Sequence, residues 1–357
     1  MRPHLWVTLS GHGFGHLAQT APVINQLFRR MPELRVTIQS TLPQPKLKER
    51  IEAPFEYIDE LDDLGMAMVD PFEVDLGASV AAYTVQLSEW PQRLARQRAL
   101  LARSTPQLLL SNVSHLAIAA AAANGISTVA LCSLNWADIL EGCLAHQPMP
   151  ELVKPLRAAY RQAETFLAPT PCMPMTGLDR LVSIGPIAAL GTNRRREIVH
   201  ALGLPAHQRL VLVTLGGIHG RLPMERWPRT PGITWLVPTS WRTNHPDALA
   251  WESLGLGFLD GLSSCDALLT KPGYGSFVEA ACAGVPVAYV ARPRWPEAPA
   301  LVQWLQAVAA AREVRAELLN SGNLLPTLDM LWSSTKHPPV DPCGVEQAVD
   351  HLAARLD

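Results

Sequence analysis

Charge is scarce in this chain: Asp, Glu, Lys and Arg make up 17% of its 357 residues, against roughly a quarter in an average globular domain. Thirty basic and 32 acidic residues leave a net charge of −2, so no excess positive field exists to hold nucleic acid or anionic lipid. Long hydrophobic runs are missing as well, although 48% of the residues are hydrophobic. The greasiest stretch, Leu116 to Ala123, stops at Asn124-Gly125 and falls far short of the about 20 residues that a membrane-spanning helix needs. Peripheral attachment is the one membrane association left open. No signal-peptide core follows Met1-Arg2-Pro3-His4, so a cytoplasmic protein is expected. The six cysteines are scattered, with no C-x-x-C pair and no histidine pair close by, which argues against a zinc site or a disulfide framework. No Asp-x-Asp occurs, so a divalent cation bridging two phosphates has no evident carboxylate clamp. Neither a metal nor a cofactor is expected.

What is present is a repeated alternation of short apolar strands and helical stretches, which implies α/β architecture with parallel sheets covered on both faces. Strands are expected at Leu5–Leu9, Leu34–Gln39, Phe55–Ile58, Gln107–Ser111 and Ser127–Cys132, with helices to Arg30, over Ser79–Arg103 and over Val113–Asn124. An acidic, Gly/Pro-punctuated loop, Asp59 to Gly77, is long enough to be functional or mobile. The pattern pauses near Ser183-Ile184-Gly185-Pro186 and restarts with strands at Arg209–Thr214, Ile233–Val237, Ala267–Thr270 and Val285–Val290. Two domains are therefore expected, 1–185 and 186–340, with an amphipathic C-terminal helix in 341–357. The basic run Arg194-Arg195-Arg196 beside Glu197 reads as a solvated linker face.

Each half opens with a strand that runs into glycine. Gly11-His12-Gly13-Phe14-Gly15-His16 invites a dinucleotide reading, but that fingerprint needs glycine at position 16 and an acid closing the second strand. Here the second strand closes with Gln39-Ser40-Thr41, so a nicotinamide or flavin is disfavoured. The loop still offers backbone that a ligand can approach at the carboxyl end of a strand, through Gly13 and Gly15. His16 and His12 are the candidate general bases there; a supporting or capping role within the loop is the competing reading.

In the second half, Leu215-Gly216-Gly217 ends one strand and Lys271-Pro272-Gly273-Tyr274-Gly275-Ser276 follows another. A helix beginning near Gly275 would present free amides to a diphosphate, with Ser276 adding a hydroxyl. Glu279 stands three residues after Ser276 and shares its face. Its carboxylate suits two ribose hydroxyls, and Ser276-x-x-Glu279 equally fits a capping box.

The run Gly273-x-x-Ser276-x-x-Glu279-x-x-x-x-Gly284-x-Pro286, preceded by Phe258-Leu259-x-x-Leu262 and Asp266, resembles the donor-site signature of GT-B glycosyltransferases, the peptidoglycan N-acetylglucosaminyltransferases among them. A nearer likeness is to the glycosyltransferase-like N-terminal region of L-arabinokinases, carried by Gly11 to His16, Lys271 to Gly275 and Arg292-x-x-x-x-Glu297-x-Pro299-x-Leu301. The resemblance spans most of the chain. It implies two facing Rossmann-like domains with a nucleotide-diphosphate-sugar in the cleft, a UDP-sugar foremost, and a small-molecule or glycan acceptor. It further implies that Glu279 binds ribose and that Gly275, Ser276, Gly216 and Gly217 surround the diphosphate. Backbone near Leu259 would meet the base, Glu297 would lie by the sugar, and the C-terminal helix would brace the first domain. Arg292 to Pro299 replaces the Gln-rich sugar-binding segment of the peptidoglycan enzymes, so the donor sugar does not carry over. The kinase half of the arabinokinases has no counterpart in these residues.

Metal-independent transfer to an acceptor hydroxyl is the expected reaction. A nucleotide-sugar epimerase of the same architecture and a non-catalytic nucleotide-sugar-binding protein are the alternatives. Among the tryptophans crowding the second half, Trp295 beside Glu297 is the one expected at a ligand.

Overall fold

A computed structural model describes residues 2–218 and 220–357; Met1, at the edge of the expected first domain, lies outside them. Seven strands form the first sheet: β1 (His4–Leu9), β2 (Arg35–Ser40), β3 (Glu56–Ile58), β4 (Leu108–Asn112), β5 (Ser127–Leu131), β6 (Thr165–Pro169) and β7 (Leu181–Ile184). Their order is β3-β2-β1-β4-β5-β6-β7, parallel throughout. Six strands form the second: β8 (Arg209–Val213), β9 (Ile233–Val237), β10 (Ala248–Ala250), β11 (Ala267–Thr270), β12 (Val287–Val290) and β13 (Ala311–Val314). They run β10-β9-β8-β11-β12-β13, again parallel. Both are doubly wound, so each has a switch point, between β1 and β4 and between β8 and β11, where loops diverge and leave a crevice.

The apolar strands are apolar because both faces are covered. In β1 every residue is buried, and Leu5, Val7 and Leu9 join Val23, Ile24 and Leu27 of helix Phe14–Arg30 in one core. Ala348, Val349, Leu352, Ala353 and Leu356 of the C-terminal helix Gly344–Leu356 complete that same core. The chain thus leaves the first sheet after β7 and returns to it last. The two crossings lie side by side, joined by Gly344 N–H to the Pro186 carbonyl at 3.0 Å and Gly185 N–H to Gln347 Oε1 at 2.6 Å.

The expected single helix over Ser79–Arg103 is two, Leu76–Ser88 and Trp90–Ser104. Pro91 in the first turn of the second has no N–H to continue the preceding helix. The segment 133–182, without a clear period in sequence, holds helices Trp136–Cys143 and Pro150–Tyr160 besides β6 and β7. Arg194 and Arg195 are ion-paired to Glu197 and Asp266, in keeping with a structural face. Among the described residues no helix is long and apolar enough to cross a membrane.

The acidic loop after β3 is a strap across the cleft. It carries one antiparallel bridge, Met68 to Val74. Phe72 packs against the second-sheet core, and Glu73 pairs with Arg294 at 3.2 Å.

Candidate functional site

Loops from the two switch points meet face to face. Helix Phe14–Arg30 starts from Gly13 and helix Tyr274–Ala283 from Gly273, neither with a side-chain cap, so first-turn amides of both remain available. The helices touch through their glycines. A Cβ on Gly275 would stand 2.8 Å from that of Ala18 and 3.6 Å from Gly15 Cα, and one on Gly217 would stand 2.7 Å from Phe14 N. Close interdomain approach is therefore what Gly275 and Gly217 supply in this closed state. Gly216, at φ +77°, needs glycine for its left-handed backbone as well.

A polar chain crosses the interface beneath these loops. His16 Nδ1–H donates to Asn112 Oδ1 at 2.7 Å, Asn112 Nδ2 to Gln19 Oε1 at 3.2 Å, and Gln19 Nε2 to Ser133 Oγ at 2.8 Å. The Ser133 hydroxyl then donates to Glu297 Oε1 at 2.6 Å, while the Trp295 indole N–H reaches Oε2 at 3.1 Å. Every donor in the series points toward the Glu297 carboxylate, and aligned bonds of this kind polarise one another. With Nδ1 committed to Asn112, the lone pair of neutral His16 lies on Nε2. Burial lowers the His16 pKa to about 4, so the ring is neutral at pH 7 and able to accept a proton. Burial also raises the Glu297 carboxyl.

Beside this chain sits a cluster of basic groups. His12 stacks on Trp295, with ring centroids 5.5 Å apart and planes 6° from parallel, and meets Trp136 edge-on at 4.9 Å. Burial, then the charges of His16, Arg292 and Lys271, push it down to about 3. Lys271 follows β11 directly; its Nζ lies 4.0 Å from where a Gly216 Cβ would be and 3.9 Å from that of Gly273. It is buried, and burial brings its pKa down to about 7. Arg292 follows β12, with its guanidinium 3.9 Å from the Trp295 ring centroid and burial lowering it to about 10. Asp63 of the strap accepts the Trp136 indole N–H at 2.9 Å and is raised by burial to about 6.

His12, His16, Gly13, Gly15, Gly216, Gly217, Gly273, Gly275, Trp295 and Glu297 thus gather at one interface, with Ser276 half-buried in the first turn of its helix. Three expected residues have other engagements in this closed state. The Tyr274 hydroxyl accepts from Ile187 N–H at 2.9 Å and donates to the Thr170 carbonyl at 3.3 Å, tying its helix to the linker. Glu279 is ion-paired with Arg50 of the first domain and almost fully buried. The Leu259 backbone packs on Gly191 of the linker. Asp266 is a strut: it accepts from Leu210 N–H at 2.8 Å and pairs with Arg195 and Arg209.

No protein-family model matches the chain. The L-arabinokinase of Arabidopsis thaliana is 23% identical over 343 residues, covering 90% of this chain and 31% of that protein, so the chain spans about a third of the length of the curated relative it matches. Among solved structures, the calicheamicin glycosyltransferase CalG4 superposes with a TM-score of 0.66 at 17% identity, covering 100% of this chain and 99% of its own. The Arabidopsis thaliana UGT89C1 complexed with UDP gives 0.56 at 14% identity over 99% of both chains. A UDP-N-acetylglucosamine 2-epimerase gives 0.54 at 13% identity, over 99% of this chain and 96% of that one. The fold is GT-B, and the likeness to GT-B glycosyltransferases and to L-arabinokinase read from the motifs is borne out.

Proposed function

We propose that this chain takes up a nucleoside diphosphate sugar, a UDP-sugar first among them, between domains 1–185 and 186–340, and transfers the sugar to an acceptor hydroxyl. The observation that carries this reading is His16, held at Nδ1 by Asn112 and left neutral with its lone pair on Nε2, at the same interface in which Lys271 is buried. Nε2 takes the acceptor proton as its oxygen attacks the anomeric carbon. The departing diphosphate is met by the amides of Tyr274, Gly275 and Ser276, by Gly216 and Gly217, and by Lys271, which offset its charge without a bridging cation. Glu279 is the ribose ligand once released from Arg50, and Glu297, fixed by Ser133 and Trp295, addresses the sugar. His12 lines the acceptor side. All six cysteines are unpaired, which supports a reducing, cytoplasmic setting.

Screening nucleotides and nucleotide-sugars by thermal shift should raise the melting temperature with one nucleoside diphosphate. Glu279→Ala is expected to weaken that binding sharply. His16→Ala should retain it while lowering kcat by about 10²–10⁴. Unchanged affinity in the first variant, or unchanged turnover in the second, would overturn the assignment. The epimerase neighbours motivate the rival reading; a sugar epimerised in the absence of any acceptor would establish it, and binding with neither transfer nor donor hydrolysis would establish a sensor.

A further inference from the structure

Two basic side chains are buried at this interface without an ion pair of their own among the described residues. Arg292 is 4% exposed, makes no salt bridge among the described residues, and touches the Met68 sulfur with Nη2 at 3.6 Å. Its Nε has no partner. Lys271, 8% exposed, likewise has no carboxylate within ion-pair distance among the described residues. The nearby carboxylate, Glu297, already accepts from Ser133 and Trp295. The His12 Nε2 is buried without a partner, on the indole that also carries Arg292. Buried unpaired basic groups and orphaned polar atoms are costly. A ligand that supplies the missing charge accounts for their presence here.

The diphosphate of a nucleotide-sugar does not account for all of them. In the order β8-β11-β12, Gly216 leaves the first strand, Lys271 the second and Arg292 the third. With about 4.8 Å between neighbours, Lys271 stands between the glycine loop and Arg292. Lys271 is thus the cation of the diphosphate cradle, and Arg292 faces the strap, Trp295 and His12 one strand further on.

We propose that Arg292, with His12 beside it, forms a subsite for a second compact oxyanion, a carboxylate or phosphate carried by one of the two sugars that meet in the cleft. The inference rests on the cleft being the substrate site and narrows the substrate class to an acidic or phosphorylated sugar. Planar guanidinium groups pair bidentately with both kinds of anion, and the partly apolar wall of Trp295 and Met68 strengthens the interaction by excluding water.

The test is calorimetric binding in two arms. In the donor arm UDP-glucuronate is compared with UDP-glucose; in the acceptor arm glucose 6-phosphate is compared with glucose, with and without UDP. The charged member of one pair should bind at least about tenfold more tightly. Arg292→Gln should reduce that preference to under about threefold and leave UDP affinity intact, while Arg292→Lys keeps part of it. The arm that responds identifies the carrier. No charge preference in either arm, or a preference that survives Arg292→Gln, overturns the proposal. UDP binding without charge preference sinks this inference alone. Arg292-dependent binding of glucose 6-phosphate with no nucleotide binding sinks the nucleotide-sugar reading and keeps this one. A folding control separates ligand from packing roles: Arg292→Met should leave the ligand-free melting temperature unchanged or higher, and a clear fall would mean that the guanidinium serves the core.

Discussion

Lys271 shows how a single residue's surroundings decide its chemistry. Its ammonium is held away from water, so the folded protein releases that proton near pH 7 while the unfolded chain holds it to about 10.5. Between those values the unfolded state binds more protons, and stability from this group rises with pH, by up to about 1.4 kcal/mol per pH unit. Denaturant unfolding from pH 7 to 10 should show a more positive slope in the wild type than in Lys271→Met; identical slopes would mean the lysine is solvated. His12 and His16 were legible in sequence because they follow a buried strand, β1, whereas Glu297, in the loop after β12, was legible only through the resemblance. Asn112 and Ser133, at the ends of β4 and β5, obey the same rule and were within reach of it. Arg50 was not. Nothing around it in sequence announces that it meets a carboxylate 229 positions away.

Between elements, the crossing of helices Phe14–Arg30 and Tyr274–Ala283 sets the closure of the molecule. Glycine is required asymmetrically. A methyl group on Gly275 would press into Ala18, whereas one on Gly15 would have Gly275 N at 4.0 Å as its nearest neighbour. Gly275→Ala should therefore cost about 1–3 kcal/mol in the closed protein. Gly15→Ala, inside a helix with room, should be neutral or stabilising by up to about 1 kcal/mol. Equilibrium denaturation of both variants checks the contrast; equal effects would refute the crossing geometry. Sequence alone reads these glycines as ligand-approach positions, because local pattern does not register a helix arriving from the other domain. The nine strands read from the pattern were legible to within two residues, since burial on both faces forces continuous apolar runs that end where polar loops begin; the edge strands β10 and β13 were not read. Segment 133–182 was opaque for the opposite reason: short helices and edge strands with mixed burial leave no sustained period.

Across the whole molecule, the polar links that hold the cleft shut include Arg50 with Glu279, Ser133 with Glu297, and Glu73 with Arg294. The first is nearly dry, with side chains 17% and 2% exposed, and it occupies the carboxylate proposed for ribose. Arg50→Ala is expected to lower the melting temperature, because it leaves a buried charge unpaired. The same change should tighten nucleotide binding by about three- to tenfold, because the competing guanidinium is gone. Scattering should show a more open particle. Weaker nucleotide binding, with the fold intact, would mean that Arg50 assists the ligand and does not compete with it.

The return of helix Gly344–Leu356 to the first core has a consequence in time. Its five buried side chains roof a sheet whose last strand, β7, is made roughly 170 residues earlier, an interval of about 10–30 s at common rates of synthesis. Throughout that interval the apolar groove beside helix Phe14–Arg30 waits uncovered on the ribosome while the entire second domain is made and folds. The domain begun first is finished last, and nascent chains should be most prone to aggregate, and most dependent on chaperones, in that window.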